Sequence, residues 1–139
     1  MKSVFADSFS FYAWINEGDA VHDKALEFSE RTDLFLITTE WALCEVADGM
    51  ARIPFREGVS DFFKNLWDDP YTRVLQSDPE LFRAGLQVYS ERNDKTWSLT
   101  DCISFVVMKR MGITEALTGD KHFVQAGFRA LLLSPEESL

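Results

Sequence analysis

Short apolar runs alternate along this chain with longer stretches whose apolar residues recur every three or four positions. Lys2 to Ala6 is β-branched and aromatic, turns apolar at its end, and predicts a first strand. Phe9, Phe11, Tyr12, Trp14 and Ile15 form a compact helical run that Gly18-Asp19 breaks. From Ala20 to Arg31, Val21, Ala25 and Phe28 fall at helical spacing among charged residues, which predicts a surface helix. Leu34 to Ile37 predicts a short buried strand. Thr38-Thr39 then offers a hydroxyl N-cap to a helix reaching about Arg52, with Pro54 ending it. Phe55 to Asp69 predicts a helix with Val59, Phe62, Phe63 and Leu66 on one face, stopped by Pro70. Thr72 to Leu75 reads as a brief strand. Asp78-Pro79 supplies a capping Asp and a first-turn Pro to a helix carrying Leu81, Phe82, Leu86 and Tyr89. After a polar loop at Arg92 to Thr96, Ser98-x-x-Asp101 opens a helix to Met111 that is apolar nearly all round, and Gly112 caps it. Such a helix is central and buried. Thr114 to Thr118 predicts a strand, Gly119-Asp120 a turn, Lys121 to Ala126 a short helix, and Ala130 to Leu133 a last strand.

Strands alternating with helices predict an α/β fold, a parallel sheet covered on both faces. In open sheets of that kind ligands bind beyond the carboxyl ends of the strands. A length of 139 residues, with no internal repeat and no linker, fits one domain spanning 1–139. Ordinary hydrophobic and charged shares, 46% and 27%, exclude a disordered chain or a small disulfide scaffold. Cys44 and Cys102 fall in apolar helical patterns and read as buried thiols of a reducing compartment. An acid at position 7 interrupts any signal-peptide core, and no run approaches the roughly 18 apolar residues of a membrane span. The expectation is a cytoplasmic protein without membrane attachment. The net charge of −9 argues against loose, charge-driven binding of nucleic acid and favours basic partners or cations.

Four acids do not fit a solvated surface. Asp7 follows the first strand directly, and Asp120 stands just past Leu117-Thr118, so both fall on one edge of a parallel sheet. Glu45 shares a helix side with Ala42 and Gly49, at the margin of a stripe formed by Val46, Met50 and Ile53. Asp101 opens the buried helix above Phe105 and Met108. Carboxylates in partly apolar surroundings repel one another and lose hydration, and a divalent cation such as Mg²⁺ or Mn²⁺ offsets both penalties. Each acid also has a structural reading. Asp101 completes a capping box with Ser98, Asp7 and Asp120 cap the helices after them, and Glu45 reaches solvent. His22 and His122 read as surface residues, and Trp14, Trp41, Trp67 and Trp97 as core.

The order of motifs resembles a known family. Val4-Phe5-Ala6-Asp7-Ser8 comes first, then Thr38-Thr39-Glu40-Trp41-Ala42-Leu43-Cys44-Glu45-Val46, then Ser98-Leu99-Thr100-Asp101-Cys102-Ile103, and last Leu117-Thr118-Gly119-Asp120-Lys121-His122-Phe123. This set is similar to the PIN-domain ribonucleases, and among them to the short VapC-type toxins of toxin–antitoxin systems. The resemblance implies a three-layer fold with about five parallel strands, and Mg²⁺- or Mn²⁺-dependent hydrolysis of RNA phosphodiester bonds. It matches Asp7, Glu45, Asp101 and Asp120 to the catalytic, metal-binding acids. Thr118 and Ser8 match hydroxyl positions near them, Thr118 as a candidate substrate contact. It further implies an antitoxin protein partner. The apolar Phe9–Phe11–Trp14 and Phe62–Phe63–Trp67 patches exceed a minimal core and are candidate surfaces for a homodimer or an antitoxin, with burial in the core as the alternative. Arg52, with Arg56, Lys95 and Lys121, is a candidate for meeting the RNA backbone. Two other readings compete. Aspartyl-phosphate phosphatases also place an Asp after strand one, but need a second Asp where this chain has Phe9. A PIN-like fold can also serve as a non-catalytic binding module, with the acids incidental.

Overall fold

The structure is a computed structural model. It describes every residue except Ile53, Pro135, Ser138 and Leu139. Ile53, assigned above to the Glu45 stripe, therefore lies outside the described residues. The element order is β1 (Lys2–Ala6), α1 (Ser8–Ile15), α2 (His22–Ser29), β2 (Leu34–Thr39), α3 (Glu40–Gly49), α4 (Phe55–Asp68), β3 (Thr72–Leu75), α5 (Pro79–Glu91), α6 (Leu99–Met111), β4 (Glu115–Leu117), α7 (Lys121–Gln125) and β5 (Arg129–Ala130).

The strands form one sheet in the order β3-β2-β1-β4-β5, and every neighbouring pair is parallel. Side chains alternate between its faces. Phe5 packs with Trp97, Ile103, Phe105, Met108 and Phe123, the layer of α6 and α7. Ala6, the next residue, packs with Phe11, Leu43, Val46, Val59 and Leu66 of α1, α3 and α4. The result is the expected three-layer α/β fold. From β1 the chain winds outward one way through β2 and β3, and the other way through β4 and β5. The carboxyl ends of β1 and β4 therefore flank a topological switch point, where open α/β sheets leave a crevice.

The local rules act where the sequence placed them. Ser98 and Asp101 form a complete capping box at the start of α6, and Gly112 ends that helix in the left-handed conformation at φ 67°. Asp78 caps α5 with Pro79 in its first turn. Gly85 of α5 lies against Ile103 of α6, where an added Cβ would stand 2.3 Å from the Ile103 Cγ1, so this glycine sets the close approach of the two helices.

Several expectations need correction. The Glu45 helix ends at Gly49 and not near Arg52, because glycine is a poor helix former and the approach to Pro54 disfavours helical backbone. The last strand is Arg129–Ala130 and not Ala130–Leu133, because its partner β4 is only three residues long. Beyond it, Leu131 and Leu132 still donate to the Ala116 and Thr118 carbonyls before the chain turns. Cys44 is exposed, whereas Cys102 is buried. Trp67 is 54% exposed, since it projects from α4 past the Leu66 that faces the core. Of the apolar residues on α5 only Leu81 is buried; Phe82, Leu86 and Tyr89 are exposed, a stripe that hydrophobicity alone cannot assign to core or surface. Among the described residues no helix is long and apolar enough to cross a membrane.

Candidate metal centre

Parallel pairing carries Asp7 and Thr118 to adjacent positions. Ala6 is opposite Leu117 in the β1–β4 register, so the next residue of each strand emerges together at the sheet edge. The Thr118 hydroxyl donates to Asp7 Oδ2 at 2.8 Å, and Thr118 Oγ1 itself accepts the Asp120 N–H at 3.0 Å. Asp7 Oδ1 accepts the Ser10 N–H at 3.4 Å as the N-cap of α1. Thr118 is fully buried, with both capacities of its hydroxyl directed at the acids. It therefore ties the Asp7 carboxylate to the backbone of Asp120.

Asp120 caps α7 by accepting the His122 N–H at 2.9 Å. That turn brings the His122 ring back over the site. Its Nδ1 lies 2.9 Å from Asp101 Oδ2 and 3.5 Å from Asp120 Oδ1. Asp101 reaches the same point from the capping box of α6, where its Oδ2 also accepts the Ser98 N–H at 3.1 Å. Ligand atoms of Asp101, Asp120 and His122 all lie within 4.8 Å of one another. Glu45 approaches from α3, held by the Ser8 hydroxyl, which donates to its Oε1 at 2.8 Å. The Tyr12 hydroxyl fixes the backbone there by donating to the Glu45 carbonyl at 2.7 Å. Gly119 lets the Phe9 ring close over the turn, since an added Cβ would stand 2.4 Å from that ring. Phe9 fills the position where a phosphatase would carry its second Asp.

The structure thus gathers Asp101 and Asp120 into one tight group, with Asp7 joined to it through Thr118 and Glu45 alongside through charge. Burial, foremost, and then the charges of Asp120 and Asp101 push the Asp7 carboxyl well above its ordinary value, against the lowering bonds from Thr118 and Ser10. Glu45 is raised by burial and by Asp101, Asp120 and Asp48, against its bond from Ser8. Among the described residues no Lys or Arg forms an ion pair with any of the four acids. Oxygen donors that repel one another, with no protein cation between them, fit a divalent ion.

The sequence reading missed His122, which is not a plain surface residue: its side chain is 29% exposed and it touches two of the acids. Its spacing, two residues past an acid that ends a strand, was the available signal. His22 is half-buried, with Nδ1 2.6 Å from the Ala13 carbonyl. Trp97 is core, donating from Nε1 to Gln125 and packing edge-on to Phe105. Arg52 is exposed and lines a cleft with Tyr12, Gly49 and Phe55, and no ion pair links it to the acids.

A parallel sheet with carboxylates at its switch point is the arrangement that the sequence motifs led us to expect of a PIN domain. The PIN domain family model matches residues 4–129, and the chain belongs to that family. Among solved structures, the chain is similar to VapC20 of Mycobacterium tuberculosis, described as a toxin cleaving the sarcin–ricin loop. The two share 23% identity at a TM-score of 0.80, over 90% of this chain and 95% of that one. It is also similar to FitAcB of Neisseria gonorrhoeae, with 16% identity and a TM-score of 0.61, over 91% of this chain and 94% of that one. These likenesses share the fold. No curated protein sequence matches the chain.

Proposed function

We propose that this protein is a divalent-metal-dependent ribonuclease, the toxin of a toxin–antitoxin pair, with Asp7, Glu45, Asp101 and Asp120 as its catalytic and metal-binding acids. The observation that carries the reading is the electrostatic coupling of acids that follow β1 and β4 with acids on α3 and α6, with no Lys or Arg paired to them among the described residues. Bound there, Mg²⁺ or Mn²⁺ supplies a water acidic enough to attack at neutral pH and neutralises charge on the phosphate.

The chain's own groups do the rest. Asp101 and Asp120, whose ligand atoms lie within 4.8 Å of each other, would hold the ion. Asp7, kept in register by Thr118, completes the negative wall behind it. Glu45, held by the Ser8 hydroxyl at 2.8 Å, would serve as the base that orients the attacking water and takes its proton. Arg52, which lines a cleft with Tyr12 just past α3, is the proposed contact for a backbone phosphate. The acidic crevice also suits a basic antitoxin segment, which would block it by charge complementarity. A homodimer fits the exposed Phe82, Leu86 and Tyr89 of α5, whose rim holds charges of both signs in the Arg110–Glu80 pair. Without a membrane-spanning helix among the described residues, the cytoplasm is the proposed place of action.

The test is to incubate the purified protein with structured cellular RNAs. Cleavage should require Mg²⁺ or Mn²⁺ and stop with chelator. Cleavage that survives chelation, or none under any metal, would contradict the proposal. A binding module would show neither cleavage nor thermal stabilisation by metal.

A further inference from the structure

We propose that His122 is itself a ligand of the divalent ion, beside Asp101 and Asp120, and that its nitrogen turns the site away from Mg²⁺ toward first-row transition ions. The inference rests on the metal-dependent reading above and adds a residue and a metal preference to it.

Three observations support it. First, the Nδ1 atom stands 2.9 Å from Asp101 Oδ2 and 3.5 Å from Asp120 Oδ1. The 2.9 Å pair is a hydrogen bond; neighbouring ligands on an ion with bonds of about 2.1 Å are likewise about 3 Å apart, so the same spacing suits a shared shell once Nδ1 carries no proton. Second, the backbone selects this placement. The His122 N–H is bound to Asp120 Oδ1 at 2.9 Å, which sets the tight turn and brings the imidazole over the acids. Third, the far nitrogen has a partner. His122 Nε2 lies 3.4 Å from the Thr96 hydroxyl, on the loop between α5 and α6. A metal-bound imidazole carries its proton on the other nitrogen and donates it to an oxygen, which fixes the tautomer. Thr96 is in place to accept it.

The consequence for metal choice follows from ligand chemistry. Mg²⁺ takes oxygen donors and gives up its waters reluctantly. An imidazole raises affinity along the transition series, from Mn²⁺ upward, without helping Mg²⁺. A site of carboxylates alone would lack that bias.

His122→Asn separates ligation from positioning, because the amide still hydrogen-bonds Asp101 but supplies no imidazole. Two readouts that do not involve RNA are used on the full chain, after circular dichroism has shown that the variant is folded. In pulsed EPR, Mn²⁺ on the wild type should show the modulation of a directly bound nitrogen. That signal should vanish in His122→Asn and persist in His22→Asn. In calorimetry, His122→Asn should lose at least about tenfold in Mn²⁺ affinity, since loss of an outer partner alone costs that much. Its Mg²⁺ affinity should stay within about threefold. Absence of nitrogen coupling in the wild type, unchanged Mn²⁺ affinity, or equal losses for both ions would each overturn the inference and leave His122 as a residue that positions the acids. If His122→Asn does not fold, absence of nitrogen coupling in the wild type still decides against it. Failure here with metal-dependent RNA cleavage intact would leave the ribonuclease reading standing. Nitrogen-coupled Mn²⁺ without RNA cleavage would do the reverse.

Discussion

Asp7 is subject to opposed influences. Burial and the charges of Asp120 and Asp101 favour its protonated form, and the bonds from Thr118 and Ser10 favour its anion; burial prevails. The folded protein therefore holds a proton on Asp7 to higher pH than the unfolded chain does. Between the ordinary carboxylate range and that raised value, the folded state binds more protons, so stability falls as pH rises. Glu45 acts in the same direction. Acids held low by arginine, such as Glu80 beside Arg110, act with the opposite sign and at lower pH. In the absence of divalent metal, the melting temperature should decline as pH climbs through the Asp7 window. Asp7→Asn should flatten that decline and melt higher than wild type at neutral pH while losing activity. A wild-type melting temperature that rises through the window, or an Asn variant that melts lower at neutral pH, would show that Asp7 is a stabilising cap and not a repelled site residue.

At the scale of elements, Asp101 has two offices, and substitutions can part them. The Ser98 hydroxyl receives the Asp101 N–H at 3.0 Å, and the Asp101 carboxylate receives the Ser98 N–H. Ser98→Ala removes only the first bond and should cost about 1 kcal/mol in urea denaturation. It keeps the backbone donor that anchors the carboxylate, so RNA cleavage should stay within a few-fold of wild type. Asp101→Asn should do the opposite, with stability little changed and cleavage reduced by about a hundredfold or more. A stable and fully active Asp101→Asn would reduce Asp101 to its capping role. Elements with local signals were legible from the sequence for this reason: Ser98, Asp78, Gly112 and the strand before Asp7 announce themselves by chemistry within a few residues. The end of α3 was overrun although Gly49 is a local stop signal; the short β5 was not legible, because it depends on what lies opposite. A short β4 limits the pairing of β5, and no pattern within Ala130 to Leu133 reveals that.

The whole molecule supplies what no segment does. That Asp7, Glu45, Asp101 and Asp120 occur in a suggestive order is visible in the sequence. That Asp7 is joined to Asp120 through Thr118 follows from the sheet order β3-β2-β1-β4-β5, which brings residue 7 beside residue 118. His122 stayed hidden for the same reason, since its partner Asp101 lies 21 positions away on another helix. The exposure of the α5 stripe is likewise a property of the packed molecule. The net charge of −9 is consistent with a cation or a basic partner at the acid cluster. The most direct measurement is an anomalous difference map from crystals soaked in Mn²⁺. The account predicts a strong peak within bonding distance of Asp101 and Asp120, in the crevice lined by Asp7 and Glu45. A map with no peak there, or with its principal peak on another face of the protein, would contradict it.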